Sequence, residues 1–164
     1  MTQAVVITVS DRSSRGERED LSGPAVAQEL ESQGFDVDAL ILVADERKAI
    51  EDALHSAVRR AHLVVTTGGT GIASRDVTPE ATRAVCNRVL DGVAEVMRAA
   101  GREETPLAAL SRGICGTVDA HKALVLNLPG NPAGAVTSLR AVAPLLSHAL
   151  DLLAGRARHD GDED

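Results

Sequence analysis

The chain has 164 residues and a formal net charge of −7. That length fits one domain of ordinary globular composition, 44% hydrophobic and 25% charged, which folds without disulfide or metal staples. Aromatics are 1%, with Phe35 alone, so no stacking platform for single-stranded nucleic acid exists, and the acidic balance opposes phosphate-backbone binding.

Residues 4–10 are β-branched and predict a buried strand. No basic segment precedes it, and no run approaches the length of a membrane span. The expectation is a cytoplasmic protein without membrane or nucleic-acid partners. A polar loop follows at 11–22, and Gly23-Pro24 opens a helix to about Gln33, stopped by Gly34. Residues 37–43 predict a second strand. Over 46–60, Ile50, Ala53, Leu54, Ala57 and Val58 repeat at helical spacing. Leu63–Thr67 predicts a third strand, ending in Gly68-Gly69-Thr70-Gly71. Thr78-Pro79-Glu80 predicts a helix start with Thr78 as N-cap. A helix over about 91–100 is closed by Gly101. Ala123–Leu128 predicts a strand, and Asn131-Pro132 opens the last helix, which Pro144 should kink. The tail 156–164 is charged and predicted to be disordered, leaving 1–155 as one domain.

Strands alternating with amphipathic helices predict an α/β fold with a mostly parallel sheet covered on both faces. Ligands in such folds bind beyond the carboxyl ends of the strands. Ser10-Asp11, Asp45, Gly68–Gly71 and Pro129-Gly130-Asn131 all fall there. The glycines allow backbone N–H groups to converge on an anion, or form a simple tight turn. Asp45 precedes a helix and would cap it. Asp76 lies before the next helix and favours its positive end. Read functionally, the two form a carboxylate pair beside the glycine turn, suited to Mg²⁺ and phosphoryl or nucleotidyl transfer. Ser111-Arg112 offers a hydroxyl and a phosphate-binding guanidinium, or a surface loop. Asn127 in an apolar strand is a structural crosslink or a ligand contact. Cys86 and Cys115 lack metal or redox spacing and read as buried thiols. The five histidines, His159 among them, show no metal spacing.

Val9-Ser10-Asp11-Arg12, Glu19-Asp20-Leu21-Ser22-Gly23, Thr66–Gly71, Arg75–Ala81, Leu110-Ser111-Arg112 and Asn127–Pro132 occur in one order. Together they resemble the molybdopterin adenylyltransferases of molybdenum-cofactor biosynthesis, the Mog/MoaB-type proteins and the G domain of gephyrin. The resemblance spans residues 4–154. It implies a three-layer α/β/α sandwich, a homotrimer, and Mg-ATP-dependent adenylylation of molybdopterin with release of pyrophosphate. It also implies transient contact with a molybdate-inserting enzyme. By matching motif, Asp45 and Asp76 are the Mg²⁺- and phosphate-positioning acids. Gly68, Gly69, Thr70 and Gly71 contact nucleotide or pterin phosphate, and Ser111 and Asn127 match pterin or product positions. Ser10, Asp11 and Gly130 line the same edge, and Arg12, Arg75 and Arg112 offset the chain's negative charge. Asn131-Pro132-Ala133-Gly134 departs from relatives that carry basic residues there. The alternatives are a catalytically silent MoaB-like protein that binds molybdopterin or regulates, and a generic nucleotide-binding domain.

Overall fold

A computed structural model describes residues 1–156; residues 157–164, with His159 and nearly all of the charged tail, lie outside the described residues. Arg156 itself pairs with Asp151 at 3.2 Å. Six strands form one sheet: β1 (Gln3–Val9), β2 (Asp36–Val43), β3 (Leu63–Thr67), β4 (Arg88–Val89), β5 (Cys115–Val118) and β6 (Ala123–Leu128). Their order is β2-β1-β3-β6-β5-β4. The first four in that order are parallel, and β5 and β4 add antiparallel.

The helices are α1 (Asp11–Ser14), α2 (Ser22–Ser32), α3 (Arg47–Val58), α4 (Thr78–Val85), α5 (Asp91–Glu104) and α6 (Pro132–Leu153). Short 3₁₀ turns occupy Pro106–Leu110 and Asp119–His121. Side chains alternate across a strand, and β1 distributes its residues accordingly. Ala4 and Val6 face Val26 and Leu30 of α2 and Leu139, Val142 and Leu146 of α6. Val5, Ile7 and Val9 face Ile50 and Leu54 of α3 and Ala81 and Val85 of α4. Two apolar cores thus sandwich the sheet, which is the expected three-layer α/β/α fold. β1, β3 and β6 are apolar on both faces, as central parallel strands require.

Several expectations are corrected. The loop after β1 contains a short helix, α1, because Ser10 Oγ accepts from Ser13 N–H and caps it. Gly101 does not end a helix; α5 continues to Glu104. A Cβ at Gly101 would sit 2.9 Å from Ala108 Cβ, so the glycine lets the 3₁₀ turn pack against α5. Thr78 is the first residue of α4, not its cap, and α6 runs unbroken through Pro144. The last helix opens at Asn131-Pro132 as expected, and Asn131 caps it, its Oδ1 accepting from Gly134 N–H. β4 and β5 are additional to the predicted strands: β5 has four residues with a glycine inside, too short for a periodic signal. Phe35 is buried in the α2–α6 core.

Candidate active site

The carboxyl ends of β1, β2, β3 and β6 meet at one rim. Asp11, just after β1, and Asp45, just after β2, hold each other. Asp11 N–H donates to Asp45 Oδ2 at 2.9 Å, and Asp45 N–H donates to Asp11 Oδ1 at 2.9 Å. Asp45 therefore does not cap α3; Glu46 takes that position without a side-chain bond. Parallel pairing of β1 with β2 brings the two loops side by side, and the reciprocal bonds fix the Asp45 carboxylate at the rim.

β3 ends in a backbone reversal. Gly68 and Gly69 adopt φ of +100° and +68°, a region that L side chains avoid. A Cβ on Gly68 would collide with the Val9 carbonyl, and one on Gly69 with Thr78 Oγ1. The turn is pinned from three sides. Gly68 N–H donates to Leu128 O, Thr67 Oγ1 donates to Pro129 O, and Thr78 Oγ1 donates to Gly68 O at 2.9 Å. That last bond explains why Thr78 does not cap α4: its hydroxyl ties the helix to the glycine turn. Gly130 also packs against this turn, since its Cβ would lie 3.4 Å from Gly68 Cα.

Asp76 reaches the same rim. Its Oδ2 accepts from Ala73 N–H at 3.0 Å, and a Cβ at Gly71 would lie 2.8 Å from that oxygen. Asp45 Oδ1 lies 3.2 Å from where a Gly69 Cβ would be. The two carboxylates thus bracket the glycine turn. A polar cavity of about 490 Å³ contains both, together with Ser10, Asp11, Gly68, Gly69 and Gly130. Burial raises the Asp45 pKa above its ordinary value; the Asp11 N–H bond opposes the rise, the Asp11 and Asp76 charges add to it, and Arg75 opposes it. Among the described residues no three His, Cys, Asp or Glu side chains converge as a metal cage.

A second, apolar cavity of about 470 Å³ opens on the other side of the turn. Thr70, Gly71, Ser111 and Asn127 line it together with Met97 and Leu107, and Asn131 borders both cavities. Asn127 is fully enclosed. Its Nδ2 donates to Thr66 Oγ1 at 3.0 Å and to Thr82 Oγ1 at 2.9 Å, and its Oδ1 accepts from Ile114 N–H at 3.2 Å. The amide crosslinks β3, β6, α4 and the segment before β5. Arg112 is likewise engaged within the fold. Its guanidinium donates to Gly71 O, Asp76 O and Glu80 Oε1, and its own N–H donates to Thr70 O. It buttresses the 70–76 segment, where the sequence pointed to a phosphate ligand; each of its three nitrogens already donates to an acceptor of the protein at 2.7–2.8 Å.

Sequence reasoning did not single out Arg18 or Met97, which line the two cavities, because an arginine in a charged loop and a helical Met carry no distinctive spacing. The two thiols lie away from the rim. Burial pushes Cys86 up to about 11 and Cys115 up to about 12, the latter helped by its neighbour Cys86, so both are unreactive at neutral pH.

Residues 5–148 match the model of the family described as a probable molybdopterin binding domain. This chain belongs to that family. The molybdopterin adenylyltransferase of Helicobacter pylori J99 is 42% identical over 157 residues, covering 92% of this chain and 86% of that protein. Among solved structures, the molybdopterin biosynthesis enzyme MoaB of Thermus thermophilus superposes with a TM-score of 0.88 at 46% identity, covering 94% of this chain and 98% of that one. The Mog protein of Mycobacterium ulcerans gives 0.85 at 39% identity, with 94% and 97% covered. The relatives named molybdopterin adenylyltransferase, in Helicobacter pylori and Escherichia coli, and the family together support a role for this chain in molybdenum-cofactor biosynthesis.

Proposed function

We propose that the chain catalyses Mg-ATP-dependent adenylylation of molybdopterin. The terminal phosphate oxygen of the pterin bonds to the α-phosphorus of ATP, the bond from that phosphorus to the bridging oxygen breaks, and pyrophosphate leaves. The reading is carried by one observation: a polar cavity with two bracketing carboxylates and an apolar cavity share the glycine turn as their boundary. Two substrates seated on either side of that turn would have their phosphates meet over Gly68–Gly71. Gly68 and Gly69, held at positive φ, turn the backbone so that the N–H groups of Gly69, Thr70 and Gly71, which have no backbone acceptor among the described residues, are offered beside the cavities. Asp45 and Asp76 position the nucleotide, and Ser111 with the apolar wall receives the pterin. Asn127 supports that wall through its crosslinks, Arg112 through its hold on residues 70–76, and Ser10 and Asp11 by fixing the loop that holds Asp45.

Two carboxylates at one rim suit Mg²⁺, which takes one or two carboxylates and completes its shell with phosphate oxygens and water. A partly buried carboxylate beside two other acids gains from a cation. Bound at Asp45 and Asp76, the ion would supply charge neutralisation of the phosphate chain. Pyrophosphate release from ATP plus molybdopterin tests the proposal. The wild type releases pyrophosphate, EDTA stops it, and Asp76→Asn slows it by about 10²-fold. Equal background rates in wild type and Asp76→Asn would leave the binding-only alternative.

The working form is one domain, residues 1–155, acting in the cytoplasm as a homotrimer and passing product to a molybdate-inserting enzyme. Leu40 and Leu42 are exposed on β2, at the open edge of the sheet, where an apolar strand calls for cover. Sedimentation is expected to give three 17.1 kDa chains per particle; a single-chain mass at micromolar concentration contradicts the trimer. Among the described residues no helix is long and apolar enough to cross a membrane.

A further inference from the structure

Asp11, Asp45 and Asp76 line one part of the polar cavity, and the segment Arg12–Asp20 lines another with Arg12, Arg15 and Arg18 beside Glu19 and Asp20. Arg15 is paired with Glu17 at 3.2 Å. Arg12 and Arg18 have no ion pair or side-chain hydrogen bond among the described residues. In a chain with 24 acidic residues, two guanidiniums that line a cavity and lack a carboxylate partner point to an anion that arrives with the ligand.

The segment is also pinned at both ends. At its start, Ser10 caps α1 and Asp11 is locked to Asp45. At its end, Asp20 Oδ2 accepts from Thr8 Oγ1 at 2.8 Å, and Asp20 Oδ1 accepts from Gly23 N–H at 3.0 Å and Ser22 Oγ at 3.4 Å. A Cβ at Gly23 would run into both Asp20 Oδ2 and Thr8 Oγ1, so only glycine permits this anchor. Thr8 lies in β1, so Asp20 fastens the arginine segment to the sheet.

We propose that Arg12 and Arg18 bind the terminal phosphates of the nucleotide, the part that departs as pyrophosphate, and that Asp20 is the positioning residue of this arm. The inference rests on the adenylyl-transfer reading. The carboxylate part of the cavity repels phosphate oxygens, while guanidinium forks match them. As the bond beyond the α-phosphorus breaks, the departing oxygen gains negative charge, and a fixed guanidinium stabilises it without reorganisation. The arm then makes the site select a triphosphate over a monophosphate.

Calorimetric titration of the full chain in Mg²⁺ with inorganic pyrophosphate, ATP and AMP tests this. Arg12→Gln/Arg18→Gln is expected to weaken pyrophosphate and ATP at least tenfold and to leave AMP within about twofold. Arg59→Gln/Arg83→Gln removes the same charge from exposed positions outside the cavity and is expected to weaken neither tenfold. Asp20→Asn is expected to raise the ATP KM with a smaller change in kcat and unchanged AMP affinity, which also reports an intact fold. The proposal is overturned if ATP and AMP weaken together, if the charge-matched control weakens pyrophosphate equally, or if the wild type binds neither pyrophosphate nor ATP. Wild-type protein that binds both tightly through this arm yet releases no pyrophosphate with molybdopterin would instead overturn the reaction and leave the arm.

Discussion

Asp45→Asn is expected to abolish most adenylyl transfer, by about 10²- to 10³-fold, while making the ligand-free protein more stable. The two effects share one cause. The fold holds the Asp45 carboxylate partly buried and beside Asp11 and Asp76, and its pKa is raised. A raised acid favours the protonated fold. Its contribution is fully present below the unfolded value of about 3.9 and is lost as pH rises through the higher folded value. At neutral pH the charged Asp45 therefore opposes folding, and Asn removes that opposition while its amide oxygen still accepts from Asp11 N–H. The lowered pKa of Glu29, set first by its Arg140 hydrogen bond, acts in the opposite sense, so the difference between variant and wild type isolates Asp45. Thermal midpoints from pH 3 to pH 8 check it: the gap in favour of Asn widens with rising pH above about 3.9 and then levels. A midpoint for Asn below wild type at neutral pH would show that the carboxylate stabilises the rim.

Asn127→Leu is expected to be the costliest single change to the fold. The leucine is close in size, but it strands Ile114 N–H, Thr66 Oγ1 and Thr82 Oγ1 in an enclosed place. Leaving buried donors and acceptors unpaired costs about 1–3 kcal/mol each. The two hydroxyl oxygens lose a donor but can still donate elsewhere, while the backbone N–H loses its acceptor outright, so the expected loss is about 3 kcal/mol. For a chain of this size that lowers the midpoint by about 6–12 °C. Ser111→Ala is the contrast: Ser111 Oγ accepts one 3.4 Å bond from Gly113 N–H, so the midpoint should stay within about 2 °C of wild type while pterin affinity falls. If Asn127→Leu melted like wild type and lost only molybdopterin affinity, its amide would be a ligand contact, not a crosslink.

The alternation of strand and helix was legible because β1, β3 and β6 are apolar on both faces and α3 repeats its apolar residues every turn. These are local periodicities, set by 2.0 and 3.6 residues per repeat. The antiparallel pair β4–β5 was not legible, since two- and four-residue strands complete no period. Gly68, Gly69, Asp45 and Asp76 were legible as rim residues because the carboxyl ends of parallel strands all point one way.

The roles of polar side chains at the rim were another matter. Asp45 as a cap was a sound local reading, overruled by a partner 34 positions away, Asp11; Arg112, read as a phosphate ligand, also holds Gly71, 41 positions away, as a strut. The residue string by itself determined the layered architecture, the strand exits and the glycine turn, since each depends on short-range pattern and backbone sterics. Only the tertiary structure decided which carboxylates stay available at the cavity and which guanidiniums are consumed as struts. A polar group's free valence depends on what long-range folding brings within 3 Å of it, and no spacing along the chain records that.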